Sequence, residues 1–119
     1  MTDKVSSYKD LKVWLKGMEI VDETYKLIKD FPKEEMYALA SQIRRSAVSI
    51  PSNIAEGAGR NSNKEFKYFL SIANGSAYEL QTQLILLTEL NLITKEKVQP
   101  VIDVCIEIQK MNYSFQQKL

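Results

Sequence analysis

Apolar residues recur along this chain at alternating three- and four-residue intervals, the period of an amphipathic helix, in four successive series. The first comprises Leu11, Trp14, Met18, Val21, Tyr25 and Ile28. Ser7 with Asp10 offers it a cap, and Phe31-Pro32 a stop, because proline disfavours the α conformation in the residue before it. The second series is Met36, Ala40, Ile43, Ala47, Ile50, Ile54 and Gly57. It stays in phase across Pro51, which predicts a kinked helix that continues, with Ser49 or Ser52 helping to satisfy nearby backbone groups and Gly57 and Gly59 supplying the stop. Ser62 and Glu65 form a capping box ahead of Phe66, Leu70, Ala73, Ala77, Leu80, Leu84 and Leu87. The fourth series is Val98, Val101, Cys105, Ile108, Asn112, Phe115 and Leu119; Pro100 lets this helix begin either near Thr94 or at Gln99.

These series predict helices over about 8–30, 34–58, 63–90 and 95–118 in one domain, 1–119. Short links between long helices give an all-α, antiparallel up-and-down four-helix bundle. No strand, repeat or low-complexity tract competes with it.

A second apolar row on the first helix, Val13, Ile20 and Leu27, lies about 130° from the main seam. It reads either as a widened core face or as a subunit contact, with the contact slightly favoured. Ile72 and Leu86 repeat the pattern on the third helix with Glu79 between them, a carboxylate that would need a partner. Gly75-Ser76-Ala77 in mid-helix suggests close approach of another backbone, because glycine there costs about 1 kcal/mol relative to alanine. Gly57 and Gly59 read equally well as such an approach or as a plain stop.

Composition narrows the function. The chain has 119 residues, 45% of them hydrophobic, one cysteine and no histidine. Without histidine the commonest general base, the Ser-His and Cys-His nucleophile pairs and nearly all catalytic zinc sites are lost. Gly57-Ala58-Gly59-Arg60 is no phosphate loop, Gly75-Ser76-Ala77 is no nucleophile elbow, and Cys105 on a helical seam reads as a core residue. The expectation is a non-enzyme with no metal and no cofactor. A polar amino terminus, and apolar runs of only a few residues such as 84–87, give no signal peptide or membrane span and predict a cytoplasmic protein.

The net charge of +1 is unevenly spread: residues 1–40 carry −1, residues 41–75 carry +3 and residues 76–119 carry −1. All three arginines, Arg44, Arg45 and Arg60, fall in the middle segment with Lys64 and Lys67. In one reading Arg44 or Arg45 pairs with Glu56 or Glu79 and is structural. In the other, Arg60, Lys64 and Lys67 with Tyr68 form a basic, aromatic surface for phosphate contact and base stacking.

The run Ser49-Ile50-Pro51-Ser52-Asn53-Ile54-Ala55-Glu56-Gly57, followed by Gly59-Arg60, resembles the signature of a bacterial family encoded in intervening sequences of large-subunit ribosomal RNA genes. Leu11-Lys12-Val13-Trp14, Phe31-Pro32-Lys33-Glu34-Glu35, Gln42-Ile43-Arg44-Arg45-Ser46-Ala47 and Gly75-Ser76 with Glu79-Leu80 and Thr82-Gln83-Leu84 extend the resemblance over residues 8–118. It implies a four-helix bundle that assembles as a homopentamer, similar to the accessory protein of diversity-generating retroelements, which binds nucleic acid and associates with a reverse transcriptase. Carried over by position, Arg44, Arg45, Arg60, Lys64 and Lys67 become candidate nucleic-acid-binding residues. Gln81, where the pattern commonly has an acid, and the near-neutral charge depart from the retroelement proteins. The implied partners are further copies of the chain, RNA or DNA, and a protein partner, with no membrane.

Overall fold

The computed structural model describes residues 7–29, 31 and 33–119, and all of their side chains except those of residues 33–36. The Pro32 stop and the Met36 side chain lie outside the described residues. Helices α1 (Lys12–Ile28), α2 (Lys33–Ala58), α3 (Asn63–Glu89) and α4 (Lys95–Gln117) pack in a ring, each against its sequence neighbours and α1 also against α4, within a body 51 × 21 × 19 Å. This is the all-α bundle that the apolar spacing predicts.

Local chemistry sets the helix ends. Ser7 Oγ accepts from the Lys9 amide at 3.1 Å, but the turn it caps is a short 3-10 segment, Tyr8–Asp10. Extended backbone at Leu11, ψ 129°, then separates that segment from α1, so the first α-helix starts later than residue 8. Ser62 Oγ accepts from the Glu65 amide at 3.1 Å, which starts α3 at Asn63. After α3, Asn91 takes φ 59°, a left-handed conformation its short polar side chain tolerates, and the Leu92 amide donates back to the Leu87 carbonyl at 2.9 Å.

Two of the three prolines are carried inside helices. Pro51 is buried in α2 and Pro100 lies in the second turn of α4, which starts at Lys95 rather than at Gln99. Pro51 has a packing partner: a Cβ placed on Gly17 of α1 would stand 3.3 Å from the proline Cα. The ring therefore fills the space left by glycine, and α1 and α2 come close. Ser49 turns to α3, its hydroxyl 2.8 Å from that of Ser76, while Asn53 Nδ2 donates to the Ser49 carbonyl at 2.8 Å.

The core corrects the face expected for α1. Val13, Gly17, Ile20, Thr24 and Ile28 are buried, whereas Met18 and Tyr25 of the expected seam are 47% and 44% exposed. Val13 and Ile20, read above as part of a second row with a subunit contact favoured, belong to the core. Gly17 and Thr24 complete the inner row but add little apolar signal, which makes the outer row look stronger in sequence. The rest of the core follows the predicted seams, with Ile43, Ala47, Ile50, Ile54, Leu70, Ala73, Ala77, Leu80, Leu84, Leu87, Cys105 and Ile108 fully buried.

Cys105 is a free, buried thiol, and burial pushes its pKa up from 9.0 to about 12. The unfolded chain ionises this thiol at lower pH than the folded one. This contribution to stability is therefore full below pH 9.0 and lost as pH rises towards about 12. Native protein at pH 8 should react with a thiol-specific disulfide reagent only at the rate of unfolding, and fast labelling before urea is added would contradict this burial.

Candidate nucleic-acid interface

The five basic residues picked from sequence do not form one patch. Arg44 and Arg45 lie in mid-α2, and Arg60 follows that helix; thirteen helical residues lead from Arg45 to Ala58, a rise of about 20 Å. Arg44 sits half-buried with its guanidinium 6.0 Å from the centroid of the Tyr25 ring on α1. Arg45 is exposed.

Neither makes the expected ion pair. Glu56 instead takes Arg60, one turn on, with Nη2 2.7 Å from Oε2, and the Arg60 guanidinium lies 4.8 Å from the centre of the Phe69 ring. The α2–α3 turn thus engages Arg60 twice, through a carboxylate and an aromatic face. Glu79 is exposed and has no ion-pair partner among the described residues.

Lys64, Lys67 and Tyr68 are brought together on the exposed first turns of α3, with Tyr68 62% exposed and its ring edge-on to Phe69 at 5.2 Å. Both lysines lack an ion pair among the described residues, unlike Lys16, which meets Glu19 at 2.9 Å and Glu107 at 3.3 Å. The hydrogen bond that Lys16 donates to Glu19, helped by Glu107, raises the Lys16 pKa above its ordinary value. Lys9, Lys12, Lys110 and Lys118 lie at the same end of the bundle, where α1 starts and α4 finishes. Sequence segments hid this grouping, because the lysines come from three separate stretches of chain.

Glycine has a different meaning at each of its helical positions. A Cβ on Gly57 would stand 2.7 Å from Phe69 Cβ and 3.2 Å from the Phe66 carbonyl oxygen, so this glycine marks a close approach between α2 and α3. Nothing among the described residues lies within 4 Å of a Cβ on Gly75, which is exposed, so of the Gly75-Ser76-Ala77 stretch only Ser76 and Ala77 face inward. Gly75→Ala should therefore raise stability by about 0.5–1 kcal/mol in urea unfolding, through helix propensity alone.

Two of the clefts among the described residues are lined by apolar side chains. One of about 310 Å³ runs between α1 and α2, lined by Tyr8, Trp14, Met18, Val21, Val48 and Pro51 among others, and contains much of the outward-facing apolar row of α1. Another, of about 590 Å³, lies between the end of α1 and the start of α4, with Leu27, Phe31 and Ile93 flanked by Glu23, Lys26, Glu96 and Lys97. Among the described residues, no three His, Cys, Asp or Glu side chains are placed to hold a metal ion. No helix among them is long and apolar enough to cross a membrane.

These features define an all-α four-helix bundle with lysines and an exposed tyrosine at the start of α3 and an apolar cleft between α1 and α2. The chain belongs to the 23S rRNA-intervening sequence protein family, whose pattern it matches over residues 9–114. It is similar to a crystal structure of a protein of unknown function from the S23 ribosomal protein family of Bacteroides thetaiotaomicron, with 31% identity and a TM-score of 0.80 over 87% of this chain and 97% of the other. No curated protein matches the sequence.

Proposed function

We propose that this protein is a non-enzymatic, self-associating bundle that binds nucleic acid, ribosomal RNA being the first candidate given the family to which it belongs. The observation carrying this reading is the pair Lys64 and Lys67, without an ion pair among the described residues and beside exposed Tyr68 at the amino-terminal end of α3. Cations there oppose the helix dipole, so helix stability does not account for them. A phosphate backbone does, and several copies in one oligomer would multiply a charge that is small in a single chain.

Binding of a ribosomal RNA fragment should fall steeply with salt. Lys64→Ala should weaken it across sequences and reduce the salt slope by about one unit. Absence of binding at low salt would overturn the proposal. For self-association, light scattering should report a mass several-fold above 13.7 kDa, the homopentamer being the specific expectation.

The apolar α1–α2 cleft favours a second reading, a protein-interaction scaffold or accessory subunit, for instance of a reverse transcriptase. In that case Met18→Glu should abolish partner or self-association, while Lys64→Ala leaves it intact.

A further inference from the structure

Hydrogen bonds between α3 and α4 fix how their outer edges align. Ser71 Oγ donates to Gln116 Oε1 at 3.2 Å, Asn112 Nδ2 to the Leu70 carbonyl at 2.9 Å, and Gln109 Nε2 to Gln81 Oε1 at 2.8 Å. This antiparallel register places two residue series side by side. On α3, Lys64, Lys67, Ser71, Asn74, Tyr78 and Gln81 recur at alternating three- and four-residue spacing and share one edge. On α4, Ile106, Lys110, Tyr113 and Gln117 do the same.

The resulting strip contains lysines, amide side chains and tyrosines, and no carboxylate. Acids flank it: Glu65 and Glu79 are exposed on α3, Glu107 is exposed on α4 one turn before Lys110 and meets Lys16, and Asp103 continues the α4 series one turn before Ile106. Tyr78 and Tyr113 are 57% and 64% exposed, so each ring has a face open to solvent; Tyr68 borders the strip on α3. Three exposed tyrosines next to three exposed lysines do nothing for the core. Phosphate contacts at intervals, interleaved with aromatic platforms, are what binding an unpaired nucleic-acid strand requires. Duplex offers no exposed base faces, so the tyrosines would contribute little to binding it.

We propose that the α3–α4 face binds single-stranded nucleic acid, with Lys64, Lys67 and Lys110 holding the backbone and Tyr68, Tyr78 and Tyr113 stacking on bases. This rests on the nucleic-acid reading above and specifies its face and its ligand; Arg44 and Arg45 lie elsewhere, on α2.

The test is fluorescence anisotropy with a labelled oligo-uridylate and a blunt RNA duplex of equal length, on the full chain, with circular dichroism confirming that each variant is folded. The single strand should bind more tightly. Tyr113→Ala and Tyr78→Ala should each weaken it by about 5- to 100-fold and leave duplex binding unchanged. Lys110→Gln should lower the salt slope by about 0.7, whereas Lys95→Gln, the same charge loss at the other end of the bundle, should not. Binding of both probes with the tyrosine variants neutral, or with Lys95→Gln as harmful as Lys110→Gln, would overturn the assignment of this face and leave the general reading standing. Absence of binding to either probe at low salt would overturn both.

Discussion

Gly57→Ala should destabilise the bundle by about 2 kcal/mol and lower its melting temperature by roughly 10 °C. The added Cβ would stand 2.7 Å from Phe69 Cβ, 3.0 Å from Phe66 Cδ1 and 3.2 Å from the Phe66 carbonyl oxygen. Two of these three atoms belong to the α3 backbone or are bonded directly to it, so no rotamer change clears the space. The helices must separate, which loosens the packing of Ile54 and Leu70 nearby, both fully buried. Alanine's better helix propensity recovers at most about 1 kcal/mol of the loss. Thermal unfolding by circular dichroism measures the balance. Since Gly75→Ala makes the same chemical change where nothing among the described residues lies within 4 Å, the two variants should shift stability in opposite directions. A Gly57→Ala protein as stable as the parent would mean that α2 and α3 are not this close.

Asn112→Asp should cost about 3 kcal/mol or more at neutral pH. Asn112 is fully buried; its Nδ2 donates to the Leu70 carbonyl at 2.9 Å and approaches Asn74 Oδ1 at 3.5 Å, while its own Oδ1 has no partner. A carboxylate placed there faces two oxygen atoms, the Leu70 carbonyl and Asn74 Oδ1. Its folded-state pKa must rise above the ordinary aspartate value of about 4, because burial disfavours the charged form. The sign follows from linkage. Below the unfolded pKa both states hold the proton and the variant is least impaired. As pH rises, the unfolded chain ionises freely while the folded chain must either keep the proton or bury a charge, so stability falls. Urea unfolding at pH 5 and pH 8 should show a larger deficit at pH 8. An equal deficit at both would show that the side chain reaches solvent. Asn112→Leu, similar in size, should stay within about 1.5 kcal/mol of the parent, since the Leu70 carbonyl lies within the α3 hydrogen-bond ladder and the unpartnered oxygen is removed.

Much of the fold was legible because its determinants are local. The Ser62 cap, the α3 series from Leu70 to Leu87 and the passage of α2 through Pro51 follow from periodicity and from rules about single residues. The inner face of α1 was not legible. Two apolar rows compete on that helix, and the row that packs inward includes a glycine and a threonine. Gly17 is decisive because it admits Pro51, a fact about a neighbour thirty-four residues away. Gly57 and Gly75 show the same limit. In sequence both are small residues of ambiguous purpose, and only the position of α3 separates a required glycine from a replaceable one.

The candidate site divides in the same way. Lys64, Lys67 and Tyr68 share a helix, and their spacing brings them together without reference to any other element. Arg44 and Arg45 were joined to them by closeness in sequence, although a helix turns that closeness into a long axial distance. Lys110 and Tyr113 were missed because they join the surface only through the register of α4 against α3. By itself, then, the sequence determined four helices, their order and most of the residues that fill the core, since burial leaves a periodic trace along each helix. Which face of α1 turns inward, which glycine is indispensable and which charges share a surface were decided only in tertiary structure. Those properties depend on distances between helices, and no single helix encodes them.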